Sequence, residues 1–193
     1  ERNGHFPCPA PLNAVPGTAE FGRAADCEEM DPPPGVLMYE HGFNDENSDF
    51  FEVWRGTVPI RDLNLPTEYS IDSWKKKFTY AVTRELAEED NKDNNSVEGR
   101  IQVEDSNGNS MAPDPEGEAM AYIILSHGAN QVGAVGLKQQ SMPAPCQLAS
   151  ADAENCDHDH VYRDALYNVT EPNNARYFDD LVVWGMQNDS NCN

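Results

Sequence analysis

The most metal-like segment of the sequence is Asp157, His158, Asp159 and His160, which places two imidazoles and two carboxylates in four consecutive positions. Imidazole nitrogens and carboxylate oxygens are ligands for zinc and copper. Structural metal sites usually draw their ligands from more than one segment, and the sequence names no second segment. The alternative is a solvated loop beside Cys156.

A second candidate offers oxygen alone. Asp105, Asn107 and Asn109 place three side-chain oxygens at alternate positions, as calcium loops do. The bidentate Glu of an EF-hand is missing at the required distance, and Asn107-Gly108 by itself predicts a hairpin turn. Calcium is therefore a cation that the chain could bind, although no cofactor is required. Other sources of oxygen ligands are the carboxylates of Glu88, Glu89, Asp90 and Asp93, and those of Asp179 and Asp180.

Ser126 and His127 are adjacent residues of the types that nucleophilic catalysis uses, but their context argues against such a role. The segment lacks the Gly-x-Ser-x-Gly pattern of a hydrolase elbow. Neighbouring side chains in a strand also point to opposite faces. With no nucleophile and base in a usable arrangement, the sequence predicts a protein that is not an enzyme.

The five cysteines contain no Cys-x-x-Cys pair, which excludes zinc-ribbon spacing. Irregular segments gain most from covalent cross-links, and two such segments are flanked by cysteines. We therefore predict the disulfides Cys8–Cys27 and Cys146–Cys156, formed in an oxidising compartment outside the cytoplasm. Cys192 is left without a partner by this pairing.

The charge is strongly unbalanced. Against 13 Lys and Arg there are 34 Asp and Glu, a formal charge of -21. A nucleic acid or an anionic membrane surface would repel such a chain, which excludes nucleic acid as a partner. Because the acidic residues are scattered, they do not mark a disordered acidic tail.

Hydrophobic patterning predicts one domain, residues 1–193, with a small and mainly antiparallel sheet and long loops, of α+β class. Asn3-Gly4 is a helix-stop signal, so residues 1–3 are predicted as the last turn of a helix. A short helix is also predicted around residues 160–167. Strands are predicted at residues 78–83, 97–103, 119–126 (the central strand) and 180–184.

Several segments, in order along most of the chain, resemble the type IV pilin-like family of pilins and pseudopilins. One runs from Asn3 through the prolines Pro7, Pro9 and Pro11, where such subunits leave their long N-terminal helix. Others are residues 56–66, 72–82, 121–130 and 178–184. Residues 72–82 are similar to an Asp-x-Trp-Gly signature, and residues 178–184 are similar to a closing Asp-Asp strand. The glycine of the signature is Lys75 here.

The resemblance implies a pilin-like head, with an N-terminal helix remnant packed on the sheet through Trp74, Phe78 and Tyr80. It implies a subunit of a type IV pilus or of a type II secretion pseudopilus in a Gram-negative bacterium, with other such subunits as partners. It places the protein in the periplasm or outside the cell, with membrane contact only through a hydrophobic helix that this sequence lacks. The alternative function is an adhesin-like binding module that uses residues 138–176.

Overall fold

The main sheet is built from segments rich in β-branched and aromatic residues, which suit a pleated and half-buried surface. The computed structural model describes residues 5–28, 31–42, 50–87, 99–112, 120–141, 146, 150–170 and 176–186. In these ranges a five-stranded sheet has the order β1-β2-β3-β5-β7. Its strands are β1 (Leu37–Gly42), β2 (Phe50–Thr57), β3 (Thr79–Thr83), β5 (Tyr122–Ser126) and β7 (Leu181–Gly185).

All neighbouring strands of this sheet run antiparallel, as the sequence predicts. Strands β3, β5 and β7 match predicted strands, with ends that differ by a few residues. Strand β5 lies between two neighbours, but the middle of the sheet is β3 rather than β5. Strands β1 and β2 were not predicted from the sequence.

A smaller parallel pair is formed by β4 (Gln102–Glu104) and β6 (Val161–Arg163). Strand β4 overlaps the predicted strand at residues 97–103 only at its end, in residues 102 and 103. Residues 97 and 98 of that prediction lie outside the described residues. Strand β6 corrects the short helix predicted around residues 160–167. The correction has a long-range cause, because the backbone there pairs with a strand about sixty residues earlier in the chain.

Helix is scarce in the described ranges. It comprises α1 (Arg84–Ala87) and 3₁₀ helices at Thr67–Ser70 and Ala151–Asn155. No helix in the described part of the chain is both long enough and apolar enough to cross a membrane. The predicted helix turn at residues 1–3 lies outside the described residues.

The sheet buries an apolar surface on each face. One face carries Trp54, Tyr80 and Val82 and is covered by the N-terminal region, including Phe21 and Val36. The other face is covered in part by the β4–β6 pair and joins it in one cluster, whose buried members are Val53, Ala81, Ile101, Val103, Met120, Ile123, Leu125 and Tyr162.

The N-terminal segment crosses the first face and is tied to it by specific bonds. The Tyr80 hydroxyl donates to the Pro7 carbonyl at 2.8 Å, and the rings of Phe6 and Tyr122 lie 5.2 Å apart. Ala10 pairs with Thr57 through both backbone hydrogen bonds. The segment therefore adds backbone pairing as well as apolar contact to the sheet.

The two predicted disulfides, Cys8–Cys27 and Cys146–Cys156, are both present. Each fastens a segment without regular strand structure, as the sequence analysis expected. Cys192 lies outside the described residues.

Asp72 organises the turn before β3. Its Oδ1 accepts the backbone N–H groups of Trp74 and Lys76, both at 2.9 Å. Its Oδ2 accepts the Ser126 hydroxyl at 2.7 Å, which ties the turn to the end of β5. Within this turn Lys75 has φ of 64°, a left-handed conformation that favours glycine.

Replacing Lys75 by Gly should therefore stabilise the protein, by about 1 kcal/mol, because the left-handed conformation is unfavourable for a residue with a Cβ. The measurement is the urea midpoint of unfolding for the wild type and Lys75→Gly. Lys76→Gly, next to it in the same turn, is the control and should not stabilise. A Lys75→Gly protein no more stable than the wild type would contradict this prediction.

Candidate metal centre

Three aspartates meet in the interior of the protein. Asp152, Asp179 and Asp180 expose 2%, 0% and 4% of their surface. One carboxylate oxygen from each lies within 4.8 Å of the other two. Buried carboxylates at such distances repel one another, so they must take up protons or share a cation.

Two segments bring these side chains together. Asp179 and Asp180 directly precede β7, and Asp152 belongs to the 3₁₀ helix Ala151–Asn155. The approach to β7 is fixed by Phe178, which is buried and exchanges backbone hydrogen bonds of 2.8 and 2.9 Å with Asn168. The site thus forms where the last strand enters the sheet.

One oxygen of each aspartate is held by an asparagine. Asn130 donates its backbone N–H to Asp179 Oδ2 at 2.7 Å and its side-chain amide to Asp152 Oδ2 at 2.5 Å. The Asn155 side chain donates to Asp180 Oδ2 at 2.8 Å. These bonds fix the orientation of all three carboxylates before any ligand binds.

The other oxygen of each aspartate is unpartnered. Oδ1 of Asp152, Asp179 and Asp180 is buried, and none of these three atoms accepts a hydrogen bond. Burial, the negative charge of Asp179 and a hydrogen bond to the Asp179 carboxylate raise the pKa of the Tyr177 hydroxyl, while Oδ1 of Asp179 itself accepts no hydrogen bond. A buried and unsatisfied polar atom costs about 1–3 kcal/mol, so three of them facing one another make this cluster the candidate cation site among the described residues.

The electrostatics agree with this interpretation. Burial raises the pKa of Asp180 well above its ordinary value, and the charges of Asp152 and Asp179 raise it further. Arg55, itself buried, acts in the opposite direction and donates to the Asn155 carbonyl at 3.1 Å. One buried arginine does not balance three carboxylates, and a divalent cation would supply the missing charge.

The donor set selects the kind of cation. The three unpartnered atoms are all carboxylate oxygens, which suit hard ions such as Ca²⁺ and Mg²⁺. Softer metals favour sulfur and imidazole, and the nearby Cys156 is held in a disulfide. Ca²⁺ accepts irregular oxygen arrangements more readily than Mg²⁺ does, so calcium fits this cluster best.

The predicted calcium loop is organised around its own aspartate. Asp105 Oδ1 accepts the backbone N–H groups of Asn107 at 2.7 Å and of Asn109 at 3.0 Å. The Asn109 amide donates to Asp105 Oδ2 at 3.0 Å. Bonds from the Asn109 side chain and from both backbones lower the pKa of Asp105 to about 2. The structure thus joins these residues as a turn in which the asparagines present N–H groups to the carboxylate.

The segment at residues 157–160 is divided by the structure. Asp157 and Asp159 join Glu154 in a second group of carboxylate oxygens within 4.8 Å of one another. His158 instead directs its ring toward Tyr39, with centroids 6.3 Å apart, and neither His158 nor His160 belongs to this group. Burial, followed by the charges of Asp159 and Glu154, raises the pKa of Asp157 to about 6.

The remaining predicted residues have other positions. The carboxylates of Glu88, Glu89, Asp90 and Asp93 lie outside the described residues. Ser126 donates to Asp72, whereas His127 Nε2 lies 3.0 Å from the Thr79 hydroxyl. Ser126 and His127 therefore have separate partners.

Burial lowers the pKa of His127 to about 3 from its ordinary 6.5. Below pH 6.5 the unfolded chain consequently binds a proton at His127, whereas the folded chain leaves His127 neutral. His127 therefore lowers the free energy of unfolding as the pH falls toward 3. In His127→Gln the slope of unfolding free energy against pH, measured in urea between pH 6.5 and 5, should be shallower by about 1 kcal/mol per pH unit. Equal slopes would contradict the prediction.

Only part of this candidate metal centre was predicted from the sequence. Asp179 and Asp180 were named as an oxygen source, but Asp152, Asn130 and Asn155 were not. The adjacent aspartates before a strand provided a local signal. Nothing local connects Asp152 with them, because the contact spans more than twenty residues.

Comparison with protein-family models, with curated proteins and with solved structures found no significant match to this chain. The fold is a mainly antiparallel sheet with little helix and two disulfides, broadly consistent with the predicted α+β class, and it contains a buried cluster of three carboxylates. Its function has to be inferred from that cluster and from the arrangement of the sheet.

Proposed function

We propose that this chain is a non-catalytic structural subunit whose fold is completed by one bound Ca²⁺. The observation that carries the proposal is the set of three buried, unpartnered oxygens on Asp152, Asp179 and Asp180. A Ca²⁺ ion coordinated by all three would join the 3₁₀ helix Ala151–Asn155 to the start of β7. The ion would then act as a cross-link, because the segments it joins are far apart in the chain.

The proposal predicts that calcium stabilises the folded protein. A ligand that binds only the folded state adds about 2.7 kcal/mol at a concentration of one hundred times its Kd. The melting temperature should therefore rise when calcium is added to chelator-treated protein, and Mg²⁺ should have a smaller effect. A melting temperature that calcium leaves unmoved would overturn the calcium part of the proposal.

Matched variants locate the ion. Asp179→Asn removes one carboxylate from the buried cluster and should abolish the calcium-dependent rise. Asp157→Asn and Asp105→Asn change the other two candidate sites and should leave the rise intact. If Asp157→Asn or Asp105→Asn abolishes it instead, the ion belongs to that segment and the assignment to the buried cluster is wrong.

Assembly into a pilin-like filament is the biological role we propose for this subunit. The resemblance of the sequence segments supports it, as does the path of residues 5–10 across one face of the sheet, tied through Tyr80 and Thr57. Other subunits of the same family would be the partners. The two disulfides are compatible with a location in the periplasm or outside the cell. The encoded sequence before Glu1 tests this role: it should contain a prepilin cleavage site followed by an apolar helix.

An adhesin-like binding role is the second candidate, and one observation favours it. Within residues 138–176, the side chains of Leu166 and Tyr167 are 88% and 61% exposed, and Val169 beside them is 39% exposed. Exposed apolar groups in a cluster mark contact surfaces. If Leu166→Ser with Tyr167→Ser abolishes attachment to a surface without changing filament assembly, the adhesive role is favoured.

A further inference from the structure

The disulfide Cys146–Cys156 adjoins the segment that carries one side of the carboxylate cluster. Cys156 directly follows the 3₁₀ helix Ala151–Asn155 and is fully buried. Its backbone N–H donates to the Ala153 carbonyl at 3.1 Å, and its carbonyl accepts from Cys146 at 2.8 Å. Its sulfur lies 3.6 Å from the Asp152 carbonyl oxygen. The disulfide therefore fixes the backbone that presents Asp152 and Asn155.

The same disulfide also packs against the loop on the other side of the cluster. A Cβ on Gly133 would lie 2.4 Å from the Cys156 Cβ and 3.0 Å from the His127 ring, so the loop backbone rests directly on the cystine. That loop contains Asn130, which bonds to both Asp152 and Asp179. Cys156 therefore contacts both segments that orient the carboxylates, namely the 3₁₀ helix Ala151–Asn155 and the loop that contains Asn130.

We propose that the Cys146–Cys156 disulfide is a redox control of the cation site. This inference rests on the proposed binding of Ca²⁺ at Asp152, Asp179 and Asp180. A dithiol reductant would donate two electrons and two protons by thiol–disulfide exchange, leaving the Cys146 and Cys156 thiols and an oxidised dithiol. The backbone around Asp152 would then be free to move, and the affinity for Ca²⁺ would fall.

Thermodynamic linkage makes the effect reciprocal. If the disulfide raises the affinity for Ca²⁺ by some factor, bound Ca²⁺ must raise the resistance of the disulfide to reduction by the same factor. An affinity change of about tenfold corresponds to a shift of about 30 mV in the reduction potential of the disulfide. Calcium-loaded protein would therefore keep this disulfide in conditions that reduce it in calcium-free protein.

The second disulfide provides a matched control. Cys8–Cys27 belongs to the apolar cluster on the first face of the sheet, together with Phe21 and Trp54. Neither of its cysteines hydrogen bonds to the cluster aspartates or to the asparagines that hold them. Its removal costs stability without loosening the segment that carries Asp152.

The first experiment is calorimetric titration of Ca²⁺ into three proteins that all carry Cys192→Ser. Cys146→Ser with Cys156→Ser should bind Ca²⁺ at least about tenfold more weakly than the parent. Cys8→Ser with Cys27→Ser should bind as the parent does. Equal affinity in all three, or an equal loss in both double variants, would overturn the inference.

The second experiment needs no cysteine variant in either disulfide and so does not depend on how those variants fold. The oxidised Cys192→Ser protein is equilibrated with dithiothreitol buffers, with chelator or with about 1 mM Ca²⁺, a concentration typical of extracellular calcium sites. Calcium should shift the reduction midpoint of Cys146–Cys156 to more reducing buffers and leave that of Cys8–Cys27 unchanged. An unshifted midpoint overturns the redox control. Protein that binds no Ca²⁺ even when oxidised overturns the proposed calcium site as well, which separates the two failures.

Discussion

Gly128→Ala should destabilise the protein strongly and abolish its response to calcium. Gly128 has φ of 57°, and a Cβ there would lie 2.2 Å from the Asp179 carbonyl oxygen and 2.7 Å from Asp179 Cγ. The backbone of Asp179 would have to move, and with it the carboxylate that faces the cluster. We expect a loss of about 3 kcal/mol or more in the free energy of unfolding, because strain and displacement add.

Gly17→Ala is the control for this prediction. Gly17 also has a positive φ, of 97°, but a Cβ there would meet nothing within 4 Å. It should lose only about 1 kcal/mol, through backbone strain alone, and should keep the full calcium response. Urea unfolding with and without Ca²⁺ measures both effects. If Gly128→Ala retains the stabilisation by calcium, the coupling between this glycine and the cluster is wrong.

Trp54→Ala should be the most damaging change on the other face of the sheet. The Trp54 side chain is fully buried at the centre of the first apolar cluster. Its indole N–H donates to Glu52 at 3.1 Å, and the Arg84 guanidinium lies 5.5 Å from its ring. Removing so large a buried side chain leaves a cavity and typically costs about 3–5 kcal/mol.

An exposed aromatic residue provides the comparison for Trp54. Tyr69 is 58% exposed, so Tyr69→Ala should change the free energy of unfolding by no more than about 0.5 kcal/mol. Both variants are compared by urea denaturation at one pH. Trp54 and Arg55 are neighbours in β2, so their side chains point to opposite faces of the sheet. Only Arg55 is linked to the carboxylate cluster, through Asn155, so folded Trp54→Ala should still be stabilised by calcium. A loss below about 1 kcal/mol would mean that the cluster collapses around the missing ring.

The predicted strands that the structure confirms are those with local and unbroken apolar patterns. Strands β3, β5 and β7 each contain successive β-branched or aromatic residues. This local pattern predicts a strand without knowledge of which strands pair with it. Both disulfides were predicted for a similar reason, since each closes a short segment whose sequence has no helix or strand pattern.

Strand β2 was missed because its sequence does not look like a strand with one polar face. Arg55 is 2% exposed, although an arginine ordinarily marks the solvent face. It is accommodated by the Asn155 carbonyl and by the Tyr162 ring, 5.9 Å away. These partners lie about a hundred residues further along the chain, so no local sequence pattern indicates that Arg55 is buried.

The carboxylate cluster was accessible to sequence reasoning only in part, for the same physical reason. Asp179 and Asp180 are adjacent and precede a clear strand, which makes them visible. Asp152 contributes through a 3₁₀ helix held by a disulfide and by Asn130, and these are relations of tertiary structure. Local pattern identifies candidate ligands, whereas long-range packing decides which of them meet.

The position of β7 has a consequence for how the chain reaches its folded state during vectorial synthesis. Strand β5 has β7 as its partner on one side, and that partner lies almost sixty residues later. Strand β4 likewise pairs with β6, which is synthesised about sixty residues later. Contacts with such sequence separation give a high contact order and slow folding. A nascent chain therefore cannot complete its core until residue 185 has emerged, and until then it exposes apolar surface that favours engagement by chaperones.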